Sequence, residues 1–389
     1  MINNKLKFNT RAIHVGNEPD NETGAVIAPI YATSTFQQEA VGVHKGYDYS
    51  RAGNPTQKRF EDNIASLENG KHGISFSSGM AAITALFQML EKGDHVIFGR
   101  NVYGGTYRLA VDILTSHGFE FDFVDTRFLD KIEKTIKPNT RWIFLETPTN
   151  PLLELCDISK VSSLCKKHNI SLAVDNTFMS PYGQNPLNLG ADIIMHSATK
   201  YIGGHSDLIA GVLITNSESI AGQLYFIQKS AGAVLSPFDS WLLLRSTKTL
   251  GIRFQKQSDN AIELAHRLSE NSKISSVIYP GLESHDQFKL ASTQQLNPKG
   301  ESIYGSMISL KLGSIEKRDL FLSKIKLFTL AESLGGVESL VCVPFDMTHG
   351  SIPAETKEDM GLTADLVRLS VGIEDVEDLY VDIINSLDQ

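Results

Sequence analysis

Cysteine is scarce in this sequence: Cys156, Cys165 and Cys342 are the three in 389 residues, and none belongs to a CxxC pair. An odd, widely spaced set supports neither a disulfide framework nor a cysteine zinc site, so no metal is expected and a reducing compartment, the cytoplasm, fits best. Long apolar runs are missing too. The longest, such as LIAGVLI at 208–214, fall far short of the roughly 20 residues that span a bilayer. The N-terminal MINNKLKFNTRAIHVG has no apolar h-region, so neither membrane insertion nor secretion is expected. Positive charge is in deficit, with 36 Lys+Arg against 45 Asp+Glu and a net charge of -9. That balance argues against nucleic acid or an acidic membrane surface as the main partner. Neither a GxGxxG fingerprint nor a Walker loop occurs.

What remains is an ordinary globular composition, 41% apolar and 21% charged, in a chain long enough for two domains. The first 60 or so residues are rich in Asn, Gly, Pro and Thr and lack sustained periodicity. They read as an extended arm that must pack on something. From residue 72 short apolar runs alternate with helical ones: HGISF, DHVIF, FEFDFVD, RWIFLE and SLAVD separated by stretches such as MAAITALFQML and DISKVSSLCKKH, then ADIIMHS and LIAGVLIT. This order predicts an α/β fold, a mostly parallel sheet covered on both faces. A long helical stretch from about 220 to 270 bridges to a smaller α+β remainder, with the boundary near residue 250. The parts expected are therefore 1–60, 61–250 and 251–389.

In an open parallel sheet, ligands lie beyond the carboxyl ends of the strands. Several polar groups fall there: Ser77, Ser78 and Gly79 after ISF, Glu146 through Asn150 after RWIFL, Asp175 and Asn176 after SLAV, and His196 through Lys200 after ADIIM. A lysine delivered by a buried strand and followed by Gly203-Gly204 is partly desolvated. Desolvation lowers its pKa and makes the neutral, nucleophilic amine accessible, as Schiff-base chemistry requires. FSSGMAAI places free N–H groups at a helix start, an anion site or a plain serine N-cap. Asp175 either caps a turn at Asn176 or partners a cation such as a protonated heterocyclic nitrogen. Together a lysine, an anion cradle and a buried carboxylate meet the requirements of pyridoxal 5'-phosphate. A cofactor-free Schiff-base aldolase would need neither Asp175 nor the cradle.

The ordered motifs YSRAGNPT (49–56), FSSGMAA, NVYGGT (101–106), ETPTNP (146–151), AVDNTF (173–178), HSATKYIGGHSD (196–207), ESLGGVESL (332–340), MTHGSIP (347–353) and VRLSVGIED (367–375) carry a resemblance over essentially the whole chain. The sequence resembles the cysteine/methionine-metabolism family of PLP enzymes, which includes cystathionine γ-lyase, β-lyase and γ-synthase and the O-acylhomoserine sulfhydrylases. The resemblance implies a type I PLP-transferase fold with a seven-stranded sheet in the large domain. It implies Lys200 as the Schiff-base lysine, Asp175 against the pyridine nitrogen, and Ser78, Gly79, Met80, Ser197 and Thr199 around the phosphate. Tyr103 is implied to stack on the ring and exchange protons with the leaving sulfur, and Asn150, Ser333 and Arg368 to fix the substrate carboxylate. Tyr49 and Arg51 are implied to reach the phosphate of a neighbouring subunit, in a homotetramer built from dimers with shared sites. Family members acting at the γ carbon commonly carry an acid at the position of Glu332, whereas one group of β-lyases carries an aromatic. The expectation is a C–S lyase of cystathionine, γ-cleaving, with β-lyase, γ-synthase and sulfhydrylase as alternatives.

Overall fold

A computed structural model describes residues 6–350 and 354–387. Seven strands, β1 (His72–Phe76), β2 (His95–Gly99), β3 (Glu120–Val124), β4 (Thr140–Glu146), β5 (Ser171–Asp175), β6 (Ile193–Ser197) and β7 (Gly211–Thr215), form one sheet in the order β1-β7-β6-β5-β4-β2-β3. Each coincides with an apolar run read from the sequence. β7 pairs antiparallel with both β1 and β6, while β6, β5, β4, β2 and β3 pair in parallel. Six of the seven strands consequently point the same way, and their carboxyl ends share one rim. The strands are almost wholly buried, as expected for a sheet covered on both faces.

A second sheet comprises β8 (Ser276–Ile278), β9 (Met307–Lys311), β10 (Thr329–Leu330), β11 (Leu340–Cys342) and β12 (Leu366–Ser370) in the order β10-β11-β12-β9-β8. β12, at its centre, carries Arg368 toward the first sheet's rim. The helical bridge is not continuous: Glu218–Ala231, Pro237–Thr247 and Leu250–Ser269 are separate helices, broken at 232–236 and again at Lys248-Thr249.

The N-terminal segment departs from a wholly extended arm. Phe8–His14 is helical and packs on its own chain, with the Phe8 and Tyr182 ring centroids 5.3 Å apart. A second helix, Pro55–Leu67, starts inside the segment read as arm. Its start signal is local: Asn54 accepts from the Thr56 N–H, and Pro55 fills the first helical position. Tertiary burial of Phe60, Ile64 and Leu67 completes it.

This helix also buries a carboxyl. Glu61 Oε1 accepts from the Ser75 N–H (2.9 Å), the Ser75 hydroxyl (2.9 Å) and Gln57 Nε2 (3.2 Å), and burial pushes its pKa up to about 7. A carboxyl whose folded pKa lies above its unfolded value stabilises at low pH, and that contribution fades as pH rises through about 7. Glu61→Gln is therefore expected to unfold at a higher temperature than wild type at pH 8.5 but not at pH 5.5. The linked difference is about 2 kcal/mol, and thermal unfolding at the two pH values measures it.

Candidate active site

The rim and β12 enclose a cavity of about 240 Å³. Every site residue named from sequence lines it except Tyr49 and Arg51: Ser78, Gly79, Met80, Tyr103, Asn150, Asp175, Ser197, Thr199, Lys200, Glu332, Ser333 and Arg368. Tyr49 is exposed, and the Arg51 guanidinium lies 5.4 Å from its ring and donates to the Lys229 carbonyl. Neither belongs to the cavity of its own chain. The last three residues of MTHGSIP, Ser351, Ile352 and Pro353, lie outside the described residues; Thr348 of that motif is in the wall.

Lys200 follows β6 and donates from Nζ to Ser333 Oγ at 2.7 Å. Burial, and then the nearby Arg368 charge, push its pKa down to about 8, against an opposing pull from Glu332. At neutral pH the uncharged amine is therefore accessible at small cost. Arg368 is 2% exposed and donates to Asn150 Oδ1 (2.7 Å) and to the Ser333 carbonyl (2.8 Å). Its Nε is buried without a partner, and no carboxylate lies within ion-pair distance of it among the described residues. A buried guanidinium that meets only neutral acceptors and keeps a spare donor is suited to an incoming carboxylate.

At the other end of the cavity, Ser78 caps the Gly79–Phe87 helix by accepting from the Ala81 N–H at 3.0 Å. Capping and anion binding are compatible here, because a cap satisfies one donor and leaves other first-turn N–H groups available. A Cβ at Gly79 would sit 3.0 Å from Ser197 Cβ and 3.1 Å from its Oγ, so glycine keeps the helix start against the end of β6. The Thr199 hydroxyl already bonds Ala210, donating to its carbonyl (3.2 Å) and accepting from its N–H (3.0 Å).

Asp175 ends β5, and its Oδ1 accepts from the Thr177 N–H at 2.9 Å, so the turn-capping alternative also holds. Burial raises its pKa, opposed by the Thr177 bonds and by His196. Behind it, His196 Nε2 meets the buried Glu68 at 2.6 Å. Glu146, the register partner of Asp175 on β4, is pushed up to about 8 by burial first and by Asp175 second. Two adjacent buried carboxyls favour a cation beside them. A protonated ring nitrogen meets that need. The lysine, the glycine-floored helix start and the carboxyl pair thus fit pyridoxal 5'-phosphate on the donor chemistry present here.

Sequence reasoning gave no role to Glu146 or Thr177, although both lie in motifs it singled out. The signal for Thr177 was its place two residues past a strand-end aspartate; besides bonding Asp175 it accepts from the Ser197 N–H at 2.9 Å.

Comparison with known proteins agrees. Residues 9–388 match the family described as Cys/Met metabolism PLP-dependent enzyme. The chain is 49% identical over 383 residues to the cystathionine gamma-lyase of Bacillus subtilis (strain 168), covering 98% of this chain and 100% of that one. It is 48% identical over 380 residues to the cystathionine beta-lyase of Lactococcus lactis subsp. cremoris (strain MG1363), covering 98% of each. Among solved structures, the cystathionine gamma-lyase of Lactobacillus plantarum complexed with L-serine superposes with a TM-score of 0.94 at 42% identity, covering 98% of both chains. Fold and site thus define the class as a PLP-dependent enzyme. The chain belongs to the Cys/Met metabolism family of these enzymes.

Proposed function

We propose that the chain is a carbon–sulfur lyase that cleaves L-cystathionine at the γ carbon, giving cysteine, 2-oxobutyrate and ammonia. The observation that carries this reading is the setting of Lys200, an amine of lowered pKa held at Ser333 between the Arg368 and Glu332 charges. Pyridoxal 5'-phosphate, when bound, supplies an electron sink conjugated to the substrate Cα. Gly79 and Met80 N–H groups with Ser197 and Thr199 would hold its phosphate, and Asp175 its ring nitrogen as the cation. Arg368, Asn150 and Ser333 hold the substrate carboxylate. Lys200 removes the Cα proton; γ-cleavage requires it to pass that proton on, to the cofactor when bound, and only then to take a second one from Cβ, whereas β-cleavage does not. Glu332 attracts the Lys200 ammonium after the first transfer and so keeps the amine within reach of the second carbon. Tyr103 supplies a proton to the departing sulfur.

Relatives with either lyase name stand at 49% and 48% identity, so overall likeness does not choose between β and γ cleavage. Product analysis does. Purified enzyme given L-cystathionine is expected to release mainly 2-oxobutyrate, and Glu332→Ala to shift the ratio several-fold toward pyruvate. Wild type releasing chiefly pyruvate overturns the γ assignment in favour of a β-lyase giving homocysteine. Accumulation of cystathionine from an activated homoserine ester and cysteine would instead favour γ-synthase.

The same reading divides the chain into residues 1–60, 61–250 and 251–389, supported by sheets that occupy 72–215 and 276–370. Tyr49 and Arg51 serve the site of a neighbouring subunit, supported by their place outside their own cavity and by exposed Val26, Ile27, Val41 and Val43 along the same segment. The assembly is a homotetramer of such dimers. Three buried free thiols favour a reducing cytoplasm. Among the described residues no helix is long and apolar enough to cross a membrane.

A further inference from the structure

Glu146 is 7% exposed, lines the cavity, and splits its two oxygens between two walls. Oε2 accepts from the Tyr103 N–H at 2.8 Å and Oε1 from the Asn150 N–H at 3.0 Å. The chain of bonds continues from there. Asn150 Oδ1 takes Arg368 Nη1 (2.7 Å), Arg368 Nη2 reaches the Ser333 carbonyl (2.8 Å), and Ser333 Oγ accepts from Lys200 (2.7 Å). Six residues on five segments are thereby connected from the tyrosine wall to the lysine, with Glu146 as the link between Tyr103 and Asn150.

The residue type is informative. A carboxyl group keeps an acceptor lone pair on each oxygen whether or not it carries a proton, so it can take one N–H in each of two directions; an amide would turn a donor toward one of them. Tyr103 starts the short Gly104–Arg108 helix without any side-chain cap, which leaves the Glu146 bond to fix its backbone. The ring lies close over Gly105, where an added Cβ would sit 2.5 Å from Tyr103 Cε1 and 2.9 Å from Met80 Sδ. The carboxyl does this beside Asp175, its register partner, where a second buried carboxyl is unfavourable. A polar group retained against that opposition is retained for its geometry.

We propose that Glu146 is a positioning residue that sets the leaving-group wall, Tyr103, in register with the carboxylate wall, Asn150 and Arg368. The inference rests on the lyase reading for the meaning of the two walls. Bonds broken at one end of Glu146 then change binding of the amino-acid carboxylate, and bonds broken at the other change departure of the sulfur.

The test uses PLP-loaded Glu146→Gln, with Glu146→Asp as a second variant that keeps both acceptor oxygens. Two readouts are needed. Binding of L-alanine, which has no leaving group, is followed by the cofactor's visible spectrum and is expected to weaken about tenfold in Glu146→Gln. Turnover is compared between L-cystathionine, whose thiolate needs a proton, and β-chloro-L-alanine, whose chloride does not. Misplacing an acid by about an ångström costs on the order of 10²-fold, so cystathionine turnover is expected to fall about 10²-fold and chloroalanine turnover less than tenfold. In a Tyr103→Phe background the extra loss on cystathionine should shrink to about threefold or less. Equal losses on both substrates with unchanged L-alanine binding would overturn the proposal, as would a Glu146→Asp enzyme no better than Glu146→Gln in both readouts. If wild type leaves cystathionine intact, the lyase reading fails separately, and L-alanine binding still decides whether Glu146 positions the carboxylate wall.

Discussion

Lys200→Ala is expected to lose turnover by about 10⁴-fold, at the upper end of what one positioned base contributes, while the apoprotein folds as well as wild type or better. The two halves of this expectation have one cause. Lys200 is largely buried, and its pKa is pushed down to about 8, so at neutral pH the folded chain carries an ammonium that burial disfavours. A lysine whose folded pKa lies below its unfolded value makes the protein less stable at neutral pH than above it: the unfolded chain holds the extra proton between about 8 and the ordinary lysine range, and stability rises with pH across that interval. Alanine removes the burdened charge and leaves only the Ser333 hydroxyl without its donor. Unfolding curves of the two apoproteins at pH 7 and pH 10 should accordingly differ in slope, wild type gaining stability and the variant not. Turnover within tenfold of wild type would overturn the assignment of Lys200.

Much of this site was legible because strand ends are legible. Apolar runs of five to seven residues, each closed by a polar group, assign Ser78, Glu146, Asp175 and Ser197 to one rim on the strength of their pattern, and the sheet order puts them there. Arg368 was legible only through resemblance. It lies inside VRLSV, a strand buried on both faces, and nothing in the alternation says that a buried arginine there has its acceptors on the loops of Asn150 and Ser333. The helix at 55–67 was hidden by a different effect. Its amphipathic face includes Thr56, Gln57, Glu61 and Asn63, all buried and hydrogen-bonded or packed, so polar residues occupy positions that a hydrophobic stripe would normally mark. β11, three residues long, is too short for periodicity to register, and pairing with β12 defines it. The role of Glu146 was out of reach for the same reason as Arg368's, since it depends on which backbone N–H groups the fold brings to a carboxyl.

The second large effect is expected at Arg368. Arg368→Lys keeps the positive charge yet should raise KM for the amino acid about 10²-fold and lower kcat/KM by at least as much, with cofactor loading unchanged. Arginine places planar donors toward Asn150 Oδ1 and the Ser333 carbonyl and still has a buried Nε to offer. Lysine has one nitrogen, and three donors radiating from a point cannot serve two fixed acceptors and a bidentate carboxylate together. Losing a bidentate contact to a charged group costs about 2–3 kcal/mol, which is the 10²-fold change in KM. Because the charge persists, the Lys200 amine still has a cation nearby, and the pH at which the amine becomes available should move little. That separates a carboxylate anchor from an electrostatic role. Steady-state kinetics of the variant across pH 6 to 10, with L-alanine binding measured through the cofactor spectrum, distinguishes them. A KM within threefold of wild type together with a displaced pH profile would mean that Arg368 acts on Lys200 and that the substrate carboxylate is held elsewhere.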